Sequence, residues 1–450
     1  MAKAAVLNEG LKTFRHGVHP PENKGATSGR KIERIPFVKE YVMPLSQHIG
    51  APSVPVVSAG QEVLRGERIA DPGGFVSTTL HSPVTGRVVD VGPRLHANGK
   101  MMPAVTIEAD PYASQRTQPQ ERPDPARLDN RAFAKQLQEA GLVGLGGAAF
   151  PSHVKVQLPE GKRIRYVVIN GVECEPYLTC DDRLMVEKPE AVIRGTQLLM
   201  ENTGAEKGFI GIEANKPDAV ASLKAIAPRE IEIAPLEVKY PQGAEKMLIK
   251  ALLGKEVPSG GLPLDLDVLT NNVATTAAIA DWFDRGVPLI ERVVTVSGPG
   301  IPYPRNLMVP LGTPISALIE YCGGLKKETR QLIMGGPMMG LAQHRFDLPV
   351  AKGTSGLLFL PPPHPEDFVE GPCIRCGKCV DICPMDLVPC DAALYSRAGD
   401  LDEAERYGAA DCIECGSCSF VCPAKRHLVQ SIKLLKPRVL KRRAERAKGK

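Results

Sequence analysis

Cys373–Pro384 reads CIRCGKCVDICP, and Cys412–Pro423 reads CIECGSCSFVCP. Both have the form C-x2-C-x2-C-x3-C-P, and together they hold most of the chain's 12 cysteines. Three thiolates spaced by two residues on a tight loop converge on one face of an iron–sulfur cube. The fourth, set off by three residues and followed by proline, turns away and reaches the other cube of a pair. The expected ligand sets therefore cross. Cys373, Cys376, Cys379 and Cys422 serve one [4Fe–4S] cluster, and Cys383, Cys412, Cys415 and Cys418 serve the other. Structural zinc would call for CxxC pairs divided by a longer loop. A disulfide framework would call for an oxidising compartment. Residues 366–427 are thus expected to fold as a two-cluster, ferredoxin-like domain. Cys174, Cys180, Cys322 and Cys390 are scattered and read as small buried hydrophobes, with Cys390 close to the first run.

The runs sit in a chain of 450 residues, long enough for about three domains. Apolar residues make up 43% and charged residues 24%, ordinary proportions for a globular protein, so a largely disordered chain is excluded. The 43 Gly and 41 Pro argue against a helical bundle and for many loops. No stretch is apolar for the 18 or so residues a membrane helix needs. MAKAAVLNEGLKTFRHG at the start has no apolar core of the secretory kind, so the expected location is cytoplasmic. The formal charge of +5 comes from the tail. Lys436–Lys450 is strongly basic with Glu445 as its single acid, and the remaining body is slightly acidic. A body of that sign with one Trp and 5% aromatics offers little to nucleic acid, and none is expected as a partner.

Upstream, residues 36–109 carry short Val-rich runs bounded by turn signals such as Asp71-Pro72-Gly73-Gly74 and Asn98-Gly99. They suggest a small β barrel or sandwich in a domain spanning 1–110. His81–Gly92 (HSPVTGRVVDVG) is similar to a strand of lipoyl-like folds but lacks their modified lysine, which favours docking over carrying. Residues 111–129, poor in large apolar side chains, read as a linker. From Asn130 strands alternate with helices through 287: strands at Arg165–Asn170, Lys207–Ile212 and Ile231–Val238, helices at Arg131–Ala140, Ala191–Met200 and Pro217–Ile226. That pattern implies a largely parallel, Rossmann-like sheet. A strand-rich module follows over 288–345, with one helix in PISALIEYCGG capped by Thr313. Residues 346–365, ending in the proline break Pro361–Pro365, read as a second linker, and 428–450 as a basic amphipathic tail.

Between the first linker and the first strand of the α/β region stands GLVGLGGAAFPSHVK, Gly141 to Lys155. Glycines let backbone approach a phosphate or a ring closely. Taken alone, Gly146-Gly147 is equally a tight turn. The loop does not match G-x-x-x-x-G-K-[ST], so a nucleoside triphosphatase is not indicated.

GLGGAAFPSHVK resembles the flavin loop of the FMN-carrying, NADH-oxidising subunit of respiratory complex I. Three further stretches agree in order: INGVECEP (Ile169–Pro176), YPQGAEK (Tyr240–Lys246) and TNNVATTAA (Thr270–Ala278). The resemblance implies an FMN shell of Gly144, Gly146, Gly147, Lys155, Asn170, Glu173, Tyr240, Gly243, Asn271 and Asn272. It implies an NADH site of Phe150 at the adenine, Glu175 and Glu245 at the nicotinamide ribose, and Lys246. Leu145 stands where that subunit has an arginine, and Val172 and Ala244 where it has carboxylates. Read without the resemblance, Asn271 is a candidate helix cap, and Glu173 and Glu245 are candidates for solvated surface groups.

Nearly the whole chain, from HGVHPPENK (His16–Lys24) through VTVSGPGIPYPRNLMVPLGTPISALIEYCGG to the paired cysteine runs, is similar to the C subunit of the Rnf/Rsx ion-translocating ferredoxin–NAD oxidoreductase complex. That family implies a multidomain α/β-plus-β chain: a barrel-sandwich domain, a Rossmann-like FMN/NADH domain, a β-grasp module and a two-cluster ferredoxin-like domain. It implies two [4Fe–4S] clusters, FMN and NAD(H). It also implies an oxidoreductase and translocase role, peripheral at the cytoplasmic face of the bacterial inner membrane. The implied partners are an iron–sulfur subunit, integral membrane subunits and, indirectly, ferredoxin.

The chemistry is consistent with this. NAD exchanges hydride and a cube exchanges single electrons, so a chain that serves both needs a flavin between them and no general base. Accordingly the nine His, including His16 and His19, are read as surface or structural groups. Two rivals are a soluble, cobalamin-reductase-like flavoprotein and an iron–sulfur docking scaffold without NADH activity. Flavin content separates the second rival, and co-purification with integral subunits the first.

Overall fold

The computed structural model describes residues 10–362 and 369–448. In the N-terminal module, β2 (Glu40–Pro44), β8 (Met101–Ala109), β7 (Gly86–Leu95) and β4 (Glu62–Val63) form one antiparallel sheet in that order. A second sheet holds β3 (Val54–Pro55), β5 (Arg68–Asp71) and β6 (Leu80–His81). Period-two alternation buries Tyr41 and Met43 from β2, Val88 from β7, and Val105 and Ile107 from β8, while Val89 faces solvent. Residues 111–129 are irregular apart from a short turn of 3-10 helix at Pro125–Arg127.

The α/β module carries a fully parallel sheet of β9 (Tyr166–Asn170), β10 (Lys207–Glu213), β11 (Ile231–Leu236) and β12 (Val268–Asn272), ordered β11-β10-β9-β12. Both faces are covered, as parallel sheets require. Val167, Ile169, Ile210 and Ile212 pack with the helices Pro189–Thr203 and Val273–Arg285. Val168 and Phe209 pack with the helix Glu245–Leu253. The two helices on the first face meet at Gly195, where a Cβ would fall 1.9 Å from the carbonyl of Thr276. Only glycine allows that approach.

The third module is a six-stranded mixed sheet, β1-β14-β13-β17-β15-β16. Its strands are β1 (Ile32–Arg34), β13 (Glu291–Ser297), β14 (Arg305–Pro310), β15 (Gln331–Met334), β16 (Leu341–Gln343) and β17 (Gly356–Leu360). One expected boundary needs correction. Residues 346–365 are not a linker, because β17 lies inside this sheet between β13 and β15. Its GLLFL is too short to announce itself without its distant partners. The N-terminal module also reaches beyond its own sheets, since β1 pairs with β14, and Lys12 and Val18 bridge to Leu236 and Tyr240 of the α/β module. The helix of this module is Ile315–Tyr321 with Pro314, not Thr313, at its N-cap. The proline break Pro361–Pro365 and the start of the cysteine domain at 366 lie partly outside the described residues.

In the cysteine domain the short helices Lys378–Asp381 and Ser417–Phe420 lie within the two runs, and Pro389–Ala398 and Leu401–Arg406 lie between the runs. The C-terminal helix, Leu428–Lys448, is not a free tail. Leu428, Ile432, Leu435 and Val439, at helical spacing, are buried with Ala392, Ala393 and Ala404. Its charges are met as well. Arg442 and Arg443 pair with Glu405, Arg446 with Asp402, and Lys436 with Glu414.

Candidate functional site

Parallel strands deliver their carboxyl ends to one edge of the sheet. The register of β12 on β9 sets Asn272 opposite Asn170 there. The glycine loop closes over this edge. The Gly144 N–H donates to the Phe150 carbonyl (2.8 Å) and the Ala149 N–H to the Gly144 carbonyl (3.1 Å). Leu145 is pinned to the helix Val273–Arg285 by its N–H on Thr275 Oγ1 (2.8 Å). Asn272, rather than Asn271, caps that helix, accepting from the Ala274 N–H at 2.9 Å. A Cβ on Gly146 would stand 3.4 Å from the Asn272 side chain, whereas Gly147, at φ +116°, has nothing within 4 Å. The loop is thus tight on its inner side and open on its outer side.

The expected FMN shell is mostly brought together at this edge. Asn170 Nδ2 donates to the Gly243 carbonyl (2.7 Å) and its Oδ1 accepts from the Val172 N–H (3.1 Å). Lys155 Nζ lies 2.6 Å from Glu245 Oε2, with Thr270 Oγ1 bonded to the same oxygen. Asn271 is buried, and its Nδ2 has no partner among the described residues. A buried donor orphaned in this way, on the strand whose next residue meets the glycine loop, fits a ligand rich in acceptors such as a flavin mononucleotide.

Other expected residues turn elsewhere. Glu173 receives the N–H groups of Asp181 (2.8 Å) and Asp182 (3.2 Å) at the start of the helix Cys180–Glu187. Asp181 in turn accepts from Asn272 Nδ2 at 2.6 Å. Burial, then the charge of Glu173, pushes the Asp181 carboxyl up to about 7. Glu175 reaches into the third module and accepts from the N–H groups of Met338 (3.0 Å) and Met339 (2.8 Å). Lys246 Nζ is 3.4 Å from the carbonyl of Pro258. Phe150 is half-buried, and its backbone braces the loop. Tyr240 is buried, and its hydroxyl donates to the carbonyl of Cys415 (2.7 Å). Gly243 donates its N–H to Cys174 Sγ at 3.3 Å.

Sequence reasoning missed Lys24. Its buried ammonium donates to the carbonyls of Glu173 (2.9 Å), Glu175 (2.8 Å) and Leu178 (2.5 Å), holding the whole ECEPYL loop. The signal was present in HGVHPPENK, a motif that carried no chemistry of its own.

The two cysteine runs repeat one backbone geometry. Arg375 (φ 51°) and Gly377 (φ 77°) match Glu414 (φ 59°) and Gly416 (φ 78°). Cys383, Cys412, Cys415 and Cys418 line one cavity, and Cys373, Cys376, Cys379 and Cys422 line another. The fourth cysteine of each run therefore stands with the first three of the other. Cys390, expected to be a bland hydrophobe, lines the second cavity too. The first cavity abuts the α/β module, where Cys415 packs with Val18 and Tyr240. At the other, Cys373 and Cys376 are exposed.

Four family models match this chain in order. They are the RnfC barrel sandwich hybrid domain (residues 12–112), the Nuo51 FMN-binding domain (137–281), the SLBB domain (293–342) and the 4Fe-4S dicluster domain (372–426). The chain is 45% identical to the C subunit of the proton-translocating ferredoxin:NAD(+) oxidoreductase complex of Clostridium ljungdahlii, over 95% of this chain and 94% of that one. It belongs to that C-subunit family. Its counterpart in the Na(+)-translocating ferredoxin:NAD(+) oxidoreductase complex of Acetobacterium woodii is also 45% identical, over 97% of this chain and 98% of its own. The counterpart in the ion-translocating oxidoreductase complex of Rhodobacter capsulatus is 41% identical, over 98% and 86%. Among solved structures, the NAD+-reducing [NiFe]-hydrogenase in the air-oxidized state shares the fold (TM-score 0.50, 19% identity, 71% of this chain and 65% of that one). As a member of this family, the chain is an oxidoreductase component that passes electrons between NAD(H), FMN and two [4Fe–4S] clusters. It is part of a multi-subunit, membrane-associated complex, and no helix among its described residues is long and apolar enough to cross a membrane.

Proposed function

We propose that this chain is the NAD(H)-facing end of its complex, peripheral on the cytoplasmic face and joined to integral subunits and to an iron–sulfur subunit that links it to ferredoxin. Gly144, Gly146 and Gly147 would lie against the FMN, with Asn271 Nδ2 donating to it. Lys155, Asn170, Glu173, Tyr240, Gly243 and Asn272 would hold or shape the rest of the shell. Phe150, Glu175, Glu245 and Lys246 would complete the NADH side, within a Rossmann-like domain followed by a β-grasp module. When bound, FMN supplies the exchange between hydride and single electrons. The residues of the chain bind, orient and exclude water. Lys155 is held at the site by Glu245 and Thr270, and Glu173 braces Asp181 against Asn272.

One observation carries the reading. The Tyr240 hydroxyl on the Cys415 carbonyl joins the flavin module directly to the cysteine set of Cys383, Cys412, Cys415 and Cys418. That contact supports an order in which this cluster is the neighbour of the flavin. The cluster of Cys373, Cys376, Cys379 and Cys422, with two exposed thiols, then faces the partner. The test is anaerobic purification with iron and flavin analysis. About eight Fe and one FMN per chain are expected, with a visible spectrum bleached by NADH. Colourless, zinc-containing protein would overturn it.

A further inference from the structure

The glycine loop is held from below by a segment that no flavin motif contains. Ala351–Thr354 makes a tight turn just before β17, closed by the Thr354 N–H on the Ala351 carbonyl (3.0 Å) and by the Ala351 N–H on Thr354 Oγ1 (3.1 Å). From this turn the fully buried Lys352 sends Nζ to the carbonyls of Gly141 (2.6 Å) and Thr79 (2.9 Å). Arg292, buried at the start of β13, donates Nη2 to the Leu145 carbonyl (3.1 Å), Nη1 to the Lys352 carbonyl, and Nε to the Val293 carbonyl (3.2 Å). Gly353 completes the contact, since a Cβ there would lie 3.2 Å from the Gly147 carbonyl and 3.4 Å from Ala149 Cβ.

Every acceptor of these two side chains is a backbone carbonyl, and two of those carbonyls belong to the glycine segment. In a trans peptide the carbonyl and the following N–H point in opposite directions. With the Leu145 carbonyl drawn down to Arg292, the Gly146 N–H must point away from it. Among the described residues neither Gly146 N–H nor Gly147 N–H has a protein acceptor. Lys352 fixes the entry to the same segment at Gly141, which stands at φ +73° where the helix Asn130–Glu139 ends. An amine in either protonation state retains the two N–H groups these bonds use.

We propose that Arg292 and Lys352, side chains of the third module, are positioning residues for the flavin loop, holding the Leu145 and Gly141 carbonyls inward so that the Gly146 N–H faces the ligand. This makes the module beyond the flavin domain a working part of the flavin site rather than a spacer. It rests on the reading of Gly141–Lys155 as the flavin loop. Arg292 also places a positive charge beneath the loop, which favours the negative charge a flavin gains on reduction.

The test uses the full chain with clusters intact, stripped of flavin and reloaded with FMN. Arg292→Met should weaken FMN binding about tenfold, the equivalent of one charge-assisted hydrogen bond. It should also make the FMN midpoint potential more negative while iron content stays at the wild-type value. Arg292→Lys, which keeps the charge and one donor direction, should recover part of both changes. Lys352→Met should weaken FMN binding without moving the potential as far. If Arg292→Met does not fold, Gly353→Ala pushes the Gly147 carbonyl by sterics alone, and weaker FMN binding is again expected. Wild-type FMN affinity in whichever of these variants folds would overturn the clamp. A wild-type chain that takes up no FMN would overturn the loop reading and the clamp together, so the two failures are distinguishable.

Discussion

Lys24→Met removes one ammonium and leaves three carbonyls, the buried one of Leu178 and the half-buried ones of Glu173 and Glu175, without their donor. Each orphaned carbonyl costs about 1–3 kcal/mol. The gross loss is offset in part because the variant no longer buries a charge, the desolvation that lowers the Lys24 pKa in the first place. The methionine fills most of the volume. A net local cost of about 3 kcal/mol follows, at the low end for breaking a buried ionic contact. The loop has a direction in which to relax, because Glu173 (φ 50°) and Tyr177 (φ 68°) sit in the left-handed region, where a side-chain-bearing residue gives up about 1 kcal/mol or more. A chain of four modules does not melt in two states, so global melting is the wrong readout. Amide hydrogen exchange over residues 173–178 is the right one. There, about 3 kcal/mol appears as roughly hundredfold faster exchange, with FMN retention falling in parallel and iron unchanged. Wild-type protection of those amides in Lys24→Met would refute the reasoning.

Tyr240→Phe deletes the hydroxyl that donates to Cys415 and should cost about 1 kcal/mol. It should alter the paramagnetic signal lost in Cys415→Ser and spare the one lost in Cys376→Ser. Cys422→Ser should share its lost signal with Cys376→Ser, and Cys383→Ser with Cys415→Ser; the opposite pairing would contradict the crossed cavities. Deletion from Pro437 onward removes buried Val439 and the Arg442 and Arg443 contacts to Glu405. It should destabilise the cysteine domain by about 2 kcal/mol and lower iron content, whereas intact iron loading would mean the helix end is dispensable. Burial depresses the Lys352 pKa to about 7 from 10.5, with His48, His81 and Arg292 as its charged or titratable neighbours. The folded chain therefore releases this proton first, and its contribution to stability rises with pH between about 7 and 10.5. Amide hydrogen exchange around the Lys352 turn, corrected for its intrinsic pH dependence, should show that rise shrinking in Lys352→Met; an identical pH slope in both proteins would contradict it.

Local chemistry was legible in the sequence. The helix Pro217–Ile226 falls where its proline start and apolar spacing put it, and the parallel strands β9, β10 and β11 lie within a residue or two of their apolar runs. The cysteine spacing also pointed to the grouping in which the fourth cysteine of each run lines a cavity with the first three of the other, because a proline after the fourth cysteine has a local steric effect. What escaped was long-range. β17 is five apolar residues, and its status as an interior strand exists only through β13 and β15. β1 is three residues whose partner lies far along the chain. The basic tail reads as a solvated face until Glu405 and Asp402 are seen beneath it. Tyr240 and Glu175 carry motif positions, but the motif does not disclose that they bind a cysteine loop and a neighbouring module.

The pairing of β1 with β14 has a consequence for how the chain is made. Ile32–Arg34 leaves the ribosome early, yet its partner strand, Arg305–Pro310, is translated roughly 270 residues later. At about 5–20 residues per second that is a wait of roughly 15 to 55 s. The bridges of Lys12 to Leu236 and Val18 to Tyr240 must wait as well. For about the first half of that interval Lys24 has no loop to hold, and Arg292 and Lys352 reach the glycine loop later still, so the flavin edge cannot take its final shape until most of the chain has been made. The first-made segment is therefore expected to be sealed only after most of the chain has emerged, with flavin loaded late rather than early in synthesis.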